Sequence, residues 1–214
     1  MKKIALFGGT FNPVHKGHIN LAVEVQSLFN FDKFYFIPSK IPPHKKLPNT
    51  TPEERIQMLK LAIEDLDRSI FDISDIEICS SKKSYTYNTL VKFNKIYKNN
   101  ELFFIVGTDI FATIKTWNRW EELFDLANFV VVNRPNYSMD KMLQTIPVKL
   151  LSLVIRFEDF VFGMEKKIIL THIKEVPISS TDIRELLSND EYIDFLPQKV
   201  YEYIRNNNLY REAR

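Results

Sequence analysis

The chain has 214 residues, of which 45% are apolar and 26% charged. That composition excludes disorder, collagen and coiled coil, and a chain of this length buries roughly 70% of its unfolded surface without disulfide or structural metal. Twenty-nine basic against 27 acidic residues leave a net charge of +2, far from the basic excess of a general nucleic-acid binder, so any polyanion site has to be local.

The predicted elements alternate strand and helix. Lys3 to Phe7 reads as a short buried strand, too short and too soon followed by glycine, histidine and lysine to be a signal-peptide core. Gly17 to Phe29 reads as a helix with apolar Ile19, Ala22, Val23 and Leu28. Lys33 to Ile37 is a second strand, closed by Pro38 and followed by a proline-rich loop. Thr51-Pro52-Glu53-Glu54 combines a capping box with proline at the first helical position, and predicts a helix carrying Ile56, Leu59, Ile63 and Leu66 on one face. Phe71 to Ile78 alternates apolar and polar, which predicts a third strand, and Tyr87 to Tyr97 a helix. Leu102 to Val106 and Phe129 to Val132 are β-rich runs, with a helix around Trp120 to Leu126 between them.

From Asp140 to Lys166 the pattern is weak and suits a helix followed by an irregular connection. Arg156, Glu158 and Asp159 break the apolar run there, so it cannot span a bilayer. Lys167 to Leu170 predicts a sixth strand, and two helices, from about Thr181 and from Pro197, close the chain. The alternation implies a single α/β, Rossmann-like domain over residues 1–214, with a mostly parallel sheet, helices on both faces and a C-terminal helical subregion. The lone Cys79 permits no intrachain disulfide and favours a reducing, cytoplasmic setting with no membrane partner.

Glycine is scarce, five residues against a usual share of roughly 7%, so its placement is informative. Gly8, Gly9 and Gly17 surround Gly8-Gly9-Thr10-Phe11-Asn12-Pro13-Val14-His15-Lys16-Gly17-His18, between the first strand and the first helix. Glycines there let backbone amides approach a phosphate, and the helix N-terminus adds partial positive charge. The spacing is neither the dinucleotide fingerprint nor a Walker loop. A turn with surface histidines fits it equally well. Zinc fits less well, since His15 and His18 have no evident third ligand.

Further polar groups follow the other predicted strands: Pro38 to Lys46, Ser84-Tyr85-Thr86, Gly107-Thr108-Asp109 and Asn133-Arg134-Pro135. In an open α/β sheet such exits line the ligand edge. Each alone has an ordinary explanation as a solvated loop, a turn or a cap. Their shared address is what counts. Ser179 and Asp182 have capping-box spacing, a reading that narrowly outweighs a phosphate seat formed by Ser180, Thr181 and Arg184 beside them. His172 lies outside any motif among apolar residues and reads as structural.

Together, G-G-T-F-N-P-x-H-x-G-H and I-S-S-T-x-I-R resemble the paired signatures of the nucleotidylyltransferase superfamily, relatives of class I aminoacyl-tRNA synthetases. The Pro42-Pro43-His44-Lys45 loop, Ser84-Tyr85-Thr86, Gly107-x-Asp109, Trp117-x-x-Trp120, Arg134-Pro135 and the tail from Phe195 to Tyr210 resemble the bacterial nicotinate-nucleotide adenylyltransferase family within it. Two positions depart from its pattern: Thr108 where alanine is common, and Asn136 where glycine is common.

The resemblance implies transfer of AMP from ATP to nicotinate mononucleotide, giving deamido-NAD and pyrophosphate, with Mg2+ accompanying ATP and no resident metal site. It implies catalytic roles for His15, His18 and Arg184. Gly8, Gly9, Thr10, Phe11, Gly107, Asp109, Ser180 and Thr181 would join them on ATP. Lys45, Thr86, Trp117, Asn118 and Arg134 would bind nicotinate mononucleotide, with Trp117 on the ring and Trp120 a core anchor. Nicotinamide mononucleotide or phosphopantetheine as acceptor, and a non-catalytic nucleotide sensor, are the alternatives. No nucleic-acid partner is expected, and a homo-oligomer is compatible with the sequence.

Overall fold

In the computed structural model, which describes residues 1–40, 50–80, 83–135, 137–189 and 194–210, the strands form one parallel sheet. They are β1 (Lys3–Gly9), β2 (Lys33–Pro38), β3 (Phe71–Ile73), β4 (Glu101–Gly107), β5 (Asn128–Val132), β6 (Val154–Arg156) and β7 (Ile168–Thr171). Their spatial order is β3-β2-β1-β4-β5-β7-β6, and every pair is parallel. Parallel neighbours require a crossover, and helices supply most of them: α1 (Lys16–Phe29), α2 (Pro52–Ala62), α3 (Thr86–Ile96), α4 (Thr108–Phe111), α5 (Leu123–Leu126) and α6 (Met139–Thr145). Helices α7 (Ser180–Ser188) and α8 (Gln198–Asn206) end the described chain.

The period of two along β1 sorts the core into two layers. Ala5 and Phe7 face one cluster, with Leu21, Val25 and Phe29 of α1, Met58 and Leu59 of α2, Ile183 of α7 and Ile204 of α8. Ile4 and Leu6 face the other, with Phe93 of α3, Phe111 of α4, Phe124 of α5 and Met142 of α6. Helices therefore cover both faces, and β4, buried along all seven residues, reads as the near-continuous apolar run of a central parallel strand. The chain runs outward from β1 to β3 and returns to place β4 on the other side of β1. That reversal opens a crevice outside the carboxyl ends of β1 and β4.

Several expectations need correction. A seventh strand, β6, arises within the weakly patterned stretch, and its three residues, Val154 and Ile155 half-buried and Arg156 exposed, are too few to show a period. β3 stops at Ile73, because the chain turns through residues 76–79, where the Cys79 amide donates to Asp75 O at 2.9 Å. Trp120 to Leu126 divides into a 3-10 turn (Trp120–Glu122) and the short α5. On α1 the buried face is Leu21, Ala22, Val25 and Phe29, whereas Val23 and Leu28 are exposed. On α2 the buried face carries Arg55, Met58 and Leu59, with Ile56 only half-buried.

At the edge remote from the crevice, buried Asn128 bridges two strands: its Nδ2 donates to Glu101 Oε1 at 2.9 Å, and its Oδ1 accepts from the Lys167 amide at 2.8 Å. Asn128→Ala should cost about 2–4 kcal/mol, because it strands a buried carboxylate oxygen and an amide. Urea unfolding measures the loss, and the variant should keep its ligand affinity.

Candidate active site

β1 delivers Gly8 and Gly9 to the carboxyl edge, and His15 stands as the N-cap residue of α1. Between them the backbone turns sharply at Phe11, which takes a left-handed φ of 49°. Its ring is buried, edge-on to Phe7 with centroids 5.6 Å apart and to His18 at 5.0 Å. A Cβ at Gly9 would stand 2.9 Å from that ring, and one at Gly17 would stand 2.9 Å from His15 Nδ1. Both glycines are therefore required by close approach. With Gly17 bare, the His15 and His18 rings lie 3.7 Å apart, and the His15 backbone N–H donates to His18 Nδ1 at 3.3 Å.

His15 is 2% exposed. Burial first, and then the nearby Arg134 guanidinium, lower its pKa to about 3, with Asp182 partly opposing them. The imidazole is thus neutral at physiological pH, a polar hydrogen-bonding group beside the loop and not a cation.

The loop's carbonyls are held from distant parts of the chain. Arg55 NH1 donates to Thr10 O at 2.9 Å, Arg184 NH1 to Asn12 O at 2.7 Å, and Ser180 Oγ to Pro13 O at 2.9 Å. The Asn12 side-chain oxygen accepts from Thr50 Oγ1 and Tyr210 Oη, each at 2.7 Å. Burial pushes the Tyr210 phenol well above its usual range, which keeps it a donor. The capping box of α7 also forms: Ser179 Oγ accepts from the Asp182 amide at 3.2 Å, and the Ser179 amide donates to Asp182 Oδ2 at 2.9 Å. Arg184 NH2 donates to Thr181 Oγ1 at 3.1 Å.

Across the crevice, a Cβ on Gly107 would fall 2.7 Å from both Arg134 Cγ and Asp109 Oδ1. These three residues therefore share one small region, with Asp109 exposed. Thr108 is fully buried and donates through Oγ1 to Tyr137 O at 2.7 Å, tying the β4 exit to the turn after β5. Thr86 opens α3, and the Ser84 hydroxyl accepts from the Lys40 amide at 3.1 Å. That bond, and not the exit of the shortened β3, joins Ser84-Tyr85-Thr86 to the loop after β2. Trp117 is half-buried, edge-on to Phe104 at 6.0 Å, with Nε1 donating to Thr113 Oγ1 at 3.3 Å. Asn118 beside it is exposed, and Trp120 packs partly into the core under Lys149. Lys45 lies outside the described residues.

Two expectations change here. The Phe11 side chain belongs to the core, so only its backbone remains for a ligand. His172 is exposed just beyond β7, not enclosed among apolar residues. Arg55, Asn12 and Tyr210 organise the site without having been singled out. For Arg55 the signal was present, because it shares the buried helical face with Met58 and Leu59 at i+3 and i+4. No group of three His, Cys, Asp or Glu side chains able to hold a metal occurs among the described residues.

Residues 6–186 match the cytidylyltransferase-like family. A protein of Clostridium tetani named "Probable nicotinate-nucleotide adenylyltransferase" is 39% identical over 99% of this chain and 100% of its own length. A relative of the same name from Clostridium novyi is 38% identical, also over 99% and 100%. Among solved structures, Plasmodium falciparum nicotinic acid mononucleotide adenylyltransferase complexed with NaAD superposes with a TM-score of 0.77, at 21% identity and 98% coverage of both chains.

The burial of His15 has a measurable consequence. Its imidazole resonances should not titrate between about pH 5 and 8, whereas an exposed histidine titrates near 6.5. Because the folded pKa is depressed, its stabilising contribution is complete above the unfolded value. That contribution is lost as pH falls from 6.5 toward the folded value of about 3, at about 1.4 kcal/mol per unit. Urea midpoints for His15→Gln should fall less steeply than the parent's over that window.

Proposed function

Because this chain belongs to the cytidylyltransferase-like family and, within it, to the nicotinate-nucleotide adenylyltransferases, we propose that it transfers AMP from ATP to nicotinate mononucleotide, giving deamido-NAD and pyrophosphate. The observation that carries this reading is the end-to-end relationship to those proteins, joined to a site whose polar residues converge where the strand order reverses. The acceptor phosphate is already a nucleophile, so no serine or cysteine need be activated. It attacks the α-phosphorus directly, the bond to the β-phosphate oxygen breaks, and pyrophosphate leaves. The protein's task is to hold two polyanions in line and to stabilise charge on the leaving group.

The loop after β1 suits the triphosphate. The Gly8-Gly9 turn, Thr10 and the Phe11 backbone would approach it, with neutral His15 and its neighbour His18 donating to phosphate oxygens. Arg184 spends NH1 on the loop and keeps further N–H groups for the β- and γ-phosphates beside Thr181. Ser180 acts through the loop, since its hydroxyl is donated to Pro13. Gly107 and Asp109 suit the ribose, and Arg134 beside them suits phosphate. Thr86, Trp117 and Asn118 are assigned to the pyridine carboxylate and ring, and Lys45 to the acceptor phosphate. Magnesium is assigned to ATP itself, where it would neutralise charge on the phosphates. The same reading places the protein in the cytoplasm.

With saturating MgATP, kcat/KM for nicotinate mononucleotide should exceed that for nicotinamide mononucleotide by about 100-fold or more, since a site built to pair a carboxylate rejects an analogue lacking it. Equal values would overturn the acceptor assignment, and no pyrophosphate with any mononucleotide would favour a sensor. His18→Ala should lower kcat by about 100-fold while ATP affinity changes far less, because the interaction matters most as charge moves to the leaving group. An unchanged kcat would make His18 structural.

A further inference from the structure

Arg55, on α2, is completely buried, yet no aspartate or glutamate among the described residues forms an ion pair with it. Its NH1 donates to two backbone carbonyls, Thr10 O at 2.9 Å and Ser39 O at 2.6 Å, and its Nε finds no partner among the described residues. Burying a guanidinium costs several kcal/mol unless it is well compensated. An apolar side chain beside Met58 and Leu59 would fill the same space without that cost. Core packing therefore does not account for an arginine here.

The two carbonyls identify what it does. Thr10 leads into the loop assigned to the triphosphate. Ser39 follows β2, and the next residue, Lys40, is bonded to Ser84 two positions before Thr86. The regular β1–β2 ladder ends with Gly9 opposite Pro38, and the Ser39 amide still reaches Gly9 O at 2.9 Å. Beyond that point the two chains diverge, and one guanidinium nitrogen bridges them. The Thr10 carbonyl and the Phe11 amide belong to one peptide unit, so donation from Arg55 also polarises that N–H toward an anion.

We propose that Arg55 is a positioning residue: it clamps the donor-side loop to the acceptor-side loop and so sets the separation of the two substrates without touching either. This rests on the adenylyl-transfer reading above. A clamp of this kind contributes to alignment more than to the binding of either substrate alone, and a misplacement of about 1 Å is enough to cost roughly 100-fold in rate.

The test compares Arg55→Met and Arg55→Lys with the parent by three measurements: ATP affinity by calorimetry without acceptor, kcat with ATP and nicotinate mononucleotide, and amide hydrogen exchange without substrates. For Arg55→Met the expected result is a cooperative melt, ATP affinity within about threefold of the parent, and kcat lower by about 50-fold. Exchange should rise together in residues 9–13 and 38–40. Arg55→Lys should recover part of kcat, since an ammonium keeps the charge and can hold one carbonyl. A Met variant whose kcat stays within about threefold, or whose kcat loss is matched by its loss of ATP affinity, overturns the proposal. If Arg55→Met does not fold, the lysine variant decides: lowered kcat at parental ATP affinity supports the clamp, and parental kcat overturns it. Hydrogen exchange needs no turnover. A parent inactive on nicotinate mononucleotide therefore defeats the reaction assigned above but not the clamp, which fails if exchange rises in one segment only.

Discussion

A loop with no secondary structure of its own must still find partners for its buried carbonyls, and at residues 10–13 that requirement organises the molecule. Thr10 is served by α2, Asn12 and Pro13 by α7, and the Asn12 side chain by Thr50 and Tyr210. The described chain thus converges on four residues from elements that lie as many as 198 positions away. Such bonds are each modest in net worth but costly to leave unmade. The loop's shape is therefore specified by the completed fold and not by its local sequence, and the helices of the C-terminal subregion are part of the site's scaffold.

The same arrangement explains how a nearly neutral protein can offer a place for polyanions. Among the described residues, three arginines at the crevice are individually placed: Arg134 against Gly107, Arg184 against the loop, and Arg55 beneath it. The histidine at the N-cap of α1 adds no charge, because burial and Arg134 keep it neutral. Donor geometry takes the place of bulk charge. A preorganised donor in a partly buried site is worth more than a mobile lysine on the surface, since it requires no reordering when the ligand arrives.

Glycine scarcity acquires a physical meaning in these contacts. At Gly9, Gly17 and Gly107 a methyl group would come within 3 Å of Phe11, His15, or Arg134 and Asp109. Glycine is retained where side chains of the site press against backbone. Gly163, by contrast, serves a positive φ of 89° in open space far from these loops. Elsewhere the two layers are filled with large apolar side chains, notably phenylalanines such as Phe34, Phe36 and Phe103, which sit between the sheet and the helices of the α1 side.

Local chemistry in the sequence was sufficient for much of the architecture. Proline and a capping box started α2, apolar runs marked β1, β2, β4 and β5, and motif order led to the family. These signals were legible because each is a short-range constraint: a period, a cap, a glycine where backbone must come close. What it could not decide were the features that depend on which neighbours arrive later. β6 exists because β7 pairs with it, and β3 ends where its pairing with β2 ends. The inward face of α1 was settled by the sheet beneath it, which buried Val25 and left Val23 in solvent. The helical period places Arg55 on one face with Met58 and Leu59, but only the fold brings the Thr10 and Ser39 carbonyls to its guanidinium. The sequence alone determined the elements and the motif residues, because these are encoded within a few neighbouring positions. Tertiary structure decided which polar groups are buried together, because a hydrogen bond between residues far apart in the chain leaves no periodic trace in either segment.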